Sequence, residues 1–301
     1  MDFMIAGVAA VGAGFFTNPL EVLKTRMQLQ GELHAKGHYT VHYRNIIHAT
    51  YTIAKHEGFL SLQKGLSPAL WVQFILNGVR LGIYQSLEDR GWVLDREGGT
   101  VFYKSVLAGG VGGVAGQIAC SPVFLVKTHL QTQGSENIAV GFQHKHRGMM
   151  QGLRIIFEEQ GIKGLFRGAG ASIPRAFVGS TSQLTSFKYS KEFLNQYEYF
   201  SDKPLLTSFC GSMVGGVAIS VMMTPFDLIM TRLYNQPVDP HGRGLLYTNY
   251  LDCVVKIFKT EGISAFYKGV GPMYLRLGPH TVLCLVFWDE LKRLYDRFWP
   301  Q

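Results

Sequence analysis

Six stretches of apolar and small residues divide the 301-residue chain. Three of them contain no charged residue and cover residues 3–20, 105–126 and 204–226. The other three each contain one arginine and cover residues 65–87, 168–187 and 269–288. Each stretch reaches the length of about 18 to 20 residues that an α-helix needs to cross the hydrocarbon core of a bilayer. The pattern therefore predicts six transmembrane helices.

The predicted helices fall into three repeats. Each uncharged stretch contains a proline near its end, and Pro19, Pro122 and Pro225 are spaced 103 residues apart. Further along each repeat, two glycines stand seven residues apart. We predict repeats at 1–98, 99–201 and 202–301. Each would hold two proline-kinked transmembrane helices with a short amphipathic surface helix between them, near residues 45–56, 149–160 and 250–260. The predicted fold is an all-α membrane protein in which the repeats form one integrated unit with pseudo-threefold symmetry.

Composition and charge narrow the function classes. Charged residues make up 17% of the chain, against about 25% in soluble domains. The net charge of +8 comes without the aromatic and basic surface of a nucleic-acid-binding protein, so it favours contact with anionic lipid. The four cysteines form no C-x-x-C pair and the loop histidines are irregularly spaced, so no disulfide framework, metal site or other cofactor is predicted. No nucleophile–base pair or carboxylate pair indicates an enzyme.

Three related segments begin at the spaced prolines. Residues 19–26 read PLEVLKTR, residues 122–129 read PVFLVKTH and residues 225–232 read PFDLIMTR. They resemble the signature motifs of the mitochondrial carrier family, solute carrier family 25, and with the glycine markers the resemblance covers the whole chain. Residues 232–237 and 276–280 resemble the branch of members 34 and 35, close to the oxaloacetate and sulfate carriers.

The resemblance implies a location and a function. It implies a monomeric multi-pass protein of the mitochondrial inner membrane without a cleaved presequence. Its expected activity is exchange of small anionic metabolites by alternating access, with dicarboxylates, keto acids such as oxaloacetate, or sulfur oxoanions as substrates. A second class stays open, namely a carrier-derived proton leak or regulated anion channel.

Each signature segment also predicts part of a gate. Residues at i, i+3 and i+7, such as Glu21, Lys24 and Gln28, share one face of a helix. If the three signature helices surround a threefold axis, the first position of each can pair with the second position of either neighbouring helix, which gives two possible registers. Only one register pairs charge with charge twice and an apolar residue with an apolar residue once, and an unpaired charge there costs several kcal/mol. This register predicts the contacts Glu21–Lys127, Asp227–Lys24 and Phe124–Met230. It matches the family's matrix gate, in which Gln28 and Gln131 resemble the glutamines that brace the ion pairs.

The arginines inside the other three helices predict a substrate site. An arginine in mid-membrane costs about 3 kcal/mol, so each should face water or a partner. Arg175 and Arg276 follow their repeat glycine by seven residues, whereas Arg80 follows its glycine by 15. In the family these positions resemble the substrate contact points. Three guanidiniums with no acidic residue in the same stretches predict a cavity for carboxylates or oxoanions. The neutral residues predicted to help are Asn77, Ser180, Gln183, Thr281 and His280.

Two further features follow from the resemblance. The even-numbered helices would carry a second, weaker gate at the cytoplasmic mouth, and its predicted residues are Lys191, Asp289 and Lys292. One register pairs Asp289 with Lys191 and the other brings like charges together, and both stay open. In the family, basic residues followed by glycine, as at 64–65, 167–168 and 268–269, adjoin cardiolipin sites at helix N-termini.

Overall fold

The computed structural model describes residues 2–35, 38–94, 99, 101–196, 204–239 and 242–298. Within these ranges the chain is helical, and its regular structure contains no β-strand beyond an isolated bridge between Val238 and Gly244. The helices are α1 (Asp2–Leu29), α2 (Ile46–Glu57), α3 (Leu66–Asp89), α4 (Phe102–Ala119), α5 (Ser121–Thr132), α6 (Met149–Leu165), α7 (Ala169–Asn195), α8 (Pro204–Asn235), α9 (Tyr250–Glu261) and α10 (Val270–Phe298). Short 3₁₀ turns cover Phe59–Gln63 and Ile263–Tyr267.

The long helices form a closed ring. α1 packs against α3, α3 against α4, α4 against α7, α7 against α8, α8 against α10, and α10 against α1. The predicted all-α fold with three repeats is confirmed. Each repeat thus contributes two neighbouring long helical segments, and α4 and α5 together form the first segment of the second repeat.

The prolines shape these segments differently. Pro19 and Pro225 lie inside continuous helices, whereas α4 and α5 meet at a 66° bend. Cys120 separates these two helices, and Pro122 stands in the first turn of α5. Proline is well accommodated in a first turn because its missing N–H would have no intrahelical partner there. The sharp bend of the second repeat therefore occurs where a new helix begins.

The length and apolar composition of the helices identify only some of the membrane-spanning segments. Among the residues that the structure describes, two stretches qualify by length and composition, Phe59–Asp89 and Met213–Asn235, and the bent pair α4–α5 makes a third if it is counted as one span. The other long helices, α1, α7 and α10, carry ionisable residues, which include Glu21 and Lys24, Arg175, and Arg276. These side chains are at most 12% exposed, so they face the interior of the bundle.

Glycine residues in α4 allow α3 and α4 to approach each other closely. A Cβ atom at Gly112 would lie 2.8 Å from the carbonyl oxygen of Arg80, and one at Gly116 would lie 2.9 Å from that of Leu76. Real Cβ atoms do not approach carbonyl oxygens this closely, so α3 and α4 can pack in this way only with glycine at both positions.

The short helices α2, α6 and α9 lie at one end of the bundle. Asn45 caps α2 by accepting a hydrogen bond from the backbone N–H of His48 (2.8 Å), and Asn249 caps α9 in the same way through Asp252 (2.9 Å). Their apolar faces are buried beside the ends of α1 and α8, with Ile53 and Ile257 fully enclosed. These helices brace the end of the bundle at which the signature segments meet.

Candidate functional site

Two buried ion pairs join the signature segments of different repeats. Lys127 Nζ lies 2.5 Å from Glu21 Oε2, and Lys24 Nζ lies 2.7 Å from Asp227 Oδ2. All four side chains are at most 10% exposed. Burial removes the water that would otherwise weaken these attractions, so separating either pair is costly. Repeat 1 is thus tied to repeat 2 and to repeat 3.

The third interface of the ring is apolar. Phe124 and Met230 belong to one buried cluster together with Tyr234, whose ring centroid lies 5.4 Å from that of Phe124. Lys127 Nζ lies 5.1 Å from the centroid of the Phe124 ring, which adds a cation–π contact. Repeats 2 and 3 therefore meet without an ion pair between their signature positions.

Amide side chains lie directly beside the ion pairs. Gln28 Nε2 donates to Asp227 Oδ2 at 3.0 Å, and Gln131 Nε2 lies 3.5 Å from Glu21 Oε2. At the third equivalent position, the hydroxyl of Tyr234 is 2.8 Å from Ser121 Oγ. Each of the three interfaces is thus bridged by one polar side chain that follows the gate positions by one helical turn.

The arginines predicted to bind substrate are held by the gate carboxylates. Arg175 Nε donates to Asp227 Oδ1 at 2.7 Å, and Arg276 donates through Nη1 to Glu21. Both arginines therefore face an acidic partner and not water alone. The prediction considered only acidic residues within the same stretch, whereas the partners come from the signature helix of the next repeat around the ring. Each carboxylate consequently holds one lysine and one arginine.

Arg80 lies apart from this cluster. Its Nη2 donates to Asn77 Oδ1 at 3.2 Å, one turn earlier on α3. Among the described contacts Arg80 has no carboxylate partner. It is the member of the predicted trio whose positive charge is least compensated.

The other predicted neutral residues are less closely associated with the arginines. Ser180 lies at the contact between α7 and α4, where a Cβ at Gly113 would approach its Oγ to 2.5 Å. Thr281 Oγ1 donates to the carbonyl of Leu277 in its own helix at 2.9 Å, and Gln183 is exposed. Of the neutral residues that the sequence predicted, Asn77 is the one that contacts a predicted arginine.

One polar residue near the arginines, Gln117, was not predicted from the sequence. Gln117 Oε1 accepts a hydrogen bond from Arg175 Nη1 at 3.2 Å. Gln117 Nε2 and Arg276 Nε are buried donors without a hydrogen-bond partner among the described residues. His280 Nδ1 lies 3.2 Å from Thr17 Oγ1, which adds polar groups beside Arg276. Gln117 lies within an uncharged stretch rich in glycine, where it resembled a packing residue.

The charges of this cluster do not cancel. Four cations, Lys24, Lys127, Arg175 and Arg276, are arranged around two carboxylates, Glu21 and Asp227. Two positive charges therefore remain uncompensated within the cluster, and Arg80 adds a third further along. A region of low dielectric with two excess positive charges attracts an anion that carries two negative charges.

The predicted cytoplasmic gate is only partly described. The side chain of Lys191 lies outside the described part of the structure. Asp289 is exposed, and Lys292 Nζ lies 4.8 Å from the ring centroid of Trp288 in its own helix. Lys292 thus has an aromatic partner close to it in sequence.

A second set of ion pairs surrounds the gate and was not anticipated. Glu57 binds Arg26 (2.6 Å) and Lys64 (2.7 Å), and Glu261 binds Arg232 (2.5 Å) and Lys268 (2.6 Å). Burial alone would raise the pKa of Glu57, but hydrogen bonds from its two cationic partners hold that pKa below the usual value. The same balance lowers the pKa of Glu261. Each of these carboxylates forms a triad with one arginine and one lysine. The residues of the two triads occupy matching positions in repeats 1 and 3, and this match was the sequence signal that could have revealed them.

The triads hold neighbouring repeats together through backbone carbonyls. Arg26 donates to the carbonyls of Gln131 (3.3 Å) and Gln133, and Arg232 donates to that of Gln28 (3.3 Å). Carbonyls at the end of a helix have no intrahelical partner, so a buried guanidinium is a well-matched donor for them. Each triad therefore fastens one repeat to the end of the next signature helix.

The ring of six long helical segments, closed at one end by buried charges, defines a membrane transport protein. A family model described as mitochondrial carrier protein matches residues 1–90, 99–198 and 201–298. The chain belongs to the mitochondrial carrier family, and it is a multi-pass protein of the mitochondrial inner membrane. The end that holds the short helices is accordingly the matrix side.

Related proteins agree with this assignment over nearly their whole length. Solute carrier family 25 member 35 of Mus musculus is 51% identical over 298 residues, which cover 99% of each chain. The mitochondrial oxaloacetate transport protein of Saccharomyces cerevisiae is 39% identical and covers 97% of this chain and 89% of its own. Mitochondrial citrate transporter E of Aspergillus niger is 38% identical and covers 98% and 95%.

Proposed function

We propose that this carrier exchanges small dicarboxylates or chemically similar dianions across the inner membrane by alternating access. The observation that supports this most is the gate cluster, in which four buried cations share two carboxylates. A dianion placed between Arg175 and Arg276 would compensate the two remaining positive charges. The names of two relatives, an oxaloacetate transporter and a citrate transporter, point to the same chemical class.

The shared carboxylates suggest how binding is coupled to opening. In the absence of substrate, opening the matrix side would pull buried cations away from Glu21 and Asp227. Breaking a buried pair so that one charge is left alone costs about 3–5 kcal/mol. A bound dianion offers the cations another partner, since planar guanidinium groups form paired hydrogen bonds with carboxylates. The gate therefore opens with substrate and resists opening without it, which favours exchange over leak.

The three arginines have separate roles in this proposal. Arg175 and Arg276 bind the dianion and release the gate carboxylates, with Gln117 Nε2 as a neighbouring donor. Arg80 lies beside Asn77 and outside the carboxylate cluster. We assign to Arg80 the selection among anions, which include keto acids such as oxaloacetate and sulfur oxoanions.

Transport by the purified protein in liposomes tests this proposal. Vesicles loaded with one of a panel of dicarboxylates, keto acids or sulfur oxoanions should take up a labelled dianion, and empty vesicles should not. Arg175→Gln and Arg276→Gln should each lower exchange by about 30-fold or more, the effect of removing one partner of a buried charged contact. Arg154→Gln is the matched control, because the Arg154 side chain is 79% exposed.

Two results would contradict the proposal. Parental exchange rates in both arginine variants would show that these residues do not bind substrate. Equal uptake by loaded and empty vesicles would instead identify a channel or leak.

Lipid contact and oligomeric state form a separate part of the proposal. Gly65 and Gly168 have positive φ angles of 69° and 80° immediately before α3 and α7, and a helix N-terminus favours a phosphate. In α7 the N–H groups of Ala169 and Ala171 already donate to the carbonyls of Phe166 and Gly168, so a phosphate would have to displace these bonds. The neighbouring Lys64 side chain instead faces Glu57. We propose that cardiolipin binds to these backbone groups of a monomeric carrier. Native mass spectrometry should detect one chain with retained cardiolipin, and a delipidated dimer would contradict this.

A further inference from the structure

The second repeat departs from the other two at the outer ring of ion pairs. The positions of Arg26, Glu57 and Lys64 correspond in sequence to those of Arg232, Glu261 and Lys268. In the second repeat the same positions hold His129, Gln160 and Arg167. The carboxylate is thus replaced by an amide and the guanidinium by an imidazole. Arg167 Nε and Nη1 are buried without a hydrogen-bond partner among the described residues.

Two loop histidines lie where the missing ion pair would be. His144 and His146 belong to the segment between α5 and α6, and both pack against His129. The His129 and His144 rings are stacked, with centroids 3.5 Å apart, and His129 Nδ1 lies 3.2 Å from His146 Nε2. One ring nitrogen from each of the three residues lies within 4.8 Å of the others. Both loop histidines are half-buried.

Hydrogen bonds to backbone carbonyls show which ring nitrogens of His129 and His144 carry a proton and which keep a free lone pair. His129 Nε2 is 2.9 Å from the carbonyl oxygen of Tyr234, and His144 Nε2 is 3.0 Å from that of Asn235. A carbonyl only accepts, so each Nε2 carries the proton and each Nδ1 keeps its lone pair. Metal-bound histidines show this arrangement, in which the second ring nitrogen donates to a carbonyl or carboxylate.

The nitrogen separation also suits a metal ion. Zinc binds imidazole nitrogen at about 2.0–2.1 Å in tetrahedral geometry, which places two ligand nitrogens about 3.3 Å apart. The distance of 3.2 Å between His129 Nδ1 and His146 Nε2 is close to this value, and an ion would replace the hydrogen bond between them. The His144 ring is stacked on that of His129, so His144 must turn until its free nitrogen points at the ion. We propose that His129, His144 and His146 form a three-imidazole site for a divalent transition metal of the zinc type on the matrix side. The fourth position of the ion is left for water.

Arg167 limits the affinity of this site. Its Nη2 lies 3.5 Å from the Tyr234 carbonyl oxygen to which His129 also donates. A positive charge this close opposes a divalent cation, so removing it should strengthen metal binding. An anion site at the same place would behave in the opposite way, because it would need Arg167.

A metal ion at this place would affect transport, and this part of the inference rests on the proposed exchange function. The His129 and His144 hydrogen bonds connect the second repeat to the end of α8 in the third repeat. This is the interface at which Phe124 and Met230 replace an ion pair. A metal bound there would fasten the two repeats together and hold the matrix gate closed. Zinc on the matrix side should therefore slow exchange.

Zinc binding to the purified full-length protein tests the site directly. Competition with a fluorescent zinc chelator should show one zinc ion per chain for the parent. The double variant His144→Gln/His146→Gln should bind at least about 100-fold more weakly, because two of three ligands are lost. His34→Gln/His38→Gln is the matched control, since both residues are exposed loop histidines. Cobalt should give the parent, but not the double variant, the visible absorption of a four-coordinate site.

The remaining variants separate the possible outcomes. Arg167→Gln should bind zinc several-fold more tightly, and weaker binding in that variant would overturn the proposed placement. Absence of equimolar zinc, or unchanged affinity in the double histidine variant with an unchanged melting temperature, would overturn the site itself. If zinc binds but slows exchange equally in parent and double variant, the closing role is wrong. Failure to observe any exchange concerns the proposed function and leaves the binding result unaffected.

Discussion

Asp227 joins three partners from two other repeats at the proposed matrix gate, so its neutralisation is informative. Asp227 accepts hydrogen bonds from Lys24 (2.7 Å), Arg175 (2.7 Å) and Gln28 (3.0 Å), and its side chain is 1% exposed. Asp227→Asn keeps the shape of the side chain and removes the charge. The substitution leaves two buried cations without a carboxylate.

The size of the effect follows from these contacts. Removing one partner of a buried ion pair costs about 3–5 kcal/mol, and Asp227 has two cationic partners, Lys24 and Arg175. We therefore expect the matrix-closed state to lose about 3–5 kcal/mol, which is about 150- to 5,000-fold in the equilibrium between closed and open gates. The melting temperature of the purified protein should fall by several degrees.

Thermal unfolding in detergent and exchange in liposomes measure these effects. The variant should melt at a lower temperature and should allow uptake into vesicles that contain no internal anion. Glu158→Gln is the control, because Glu158 forms an exposed pair with Arg154 that adds little to stability. A melting temperature and an uptake pattern equal to those of the parent would refute the assignment of Asp227 to the gate.

Three further predictions concern the gate and its surroundings. Glu21→Lys with Lys127→Glu should restore only part of the exchange that either single change abolishes, because the arginine partner of position 21 would then face an ammonium; full rescue would contradict that contact. Phe124→Asp with Met230→Lys should raise the melting temperature and slow exchange, whereas values equal to the parent's would show that an ion pair adds nothing there. Burial raises the pKa of Glu32 to about 7, so the protonated form is favoured in the folded protein. This contribution to stability is present below about pH 4.5 and is lost as the pH rises through 7. Glu32→Gln should thus melt above the parent at pH 8 and close to it at pH 5, and a constant difference would exclude this titration.

The sequence predicted the ring register because the repeats supply an internal comparison. The signature positions of the three repeats allow only one register that pairs all charges, and the structure contains the two ion pairs of that register. The partners of Arg175 and Arg276 were not predictable in the same way. Whether an arginine on one helix reaches a carboxylate on another depends on helix rotation and depth, which a linear pattern does not specify.

The histidine cluster shows a different limit of sequence reasoning. His144 and His146 lie in an irregular segment, and nothing in their spacing indicates that they contact a helix. The useful signal was instead His129, which stands at the position that Arg26 and Arg232 occupy in the other repeats. Comparison of the repeats position by position identifies the replaced triad, but only the folded loop shows what lies beside it.

The proposed function requires that the two uncompensated positive charges at the gate select a dianion. It is tested most directly by competition between a dicarboxylate and its monoamide, which match in size and differ by one negative charge. Each would be added as an inhibitor of labelled dicarboxylate exchange by the purified carrier in liposomes. We expect the dicarboxylate to inhibit at least about 30-fold more strongly than the monoamide, corresponding to the loss of one buried charged contact. Equal inhibition by the two compounds would contradict the claim.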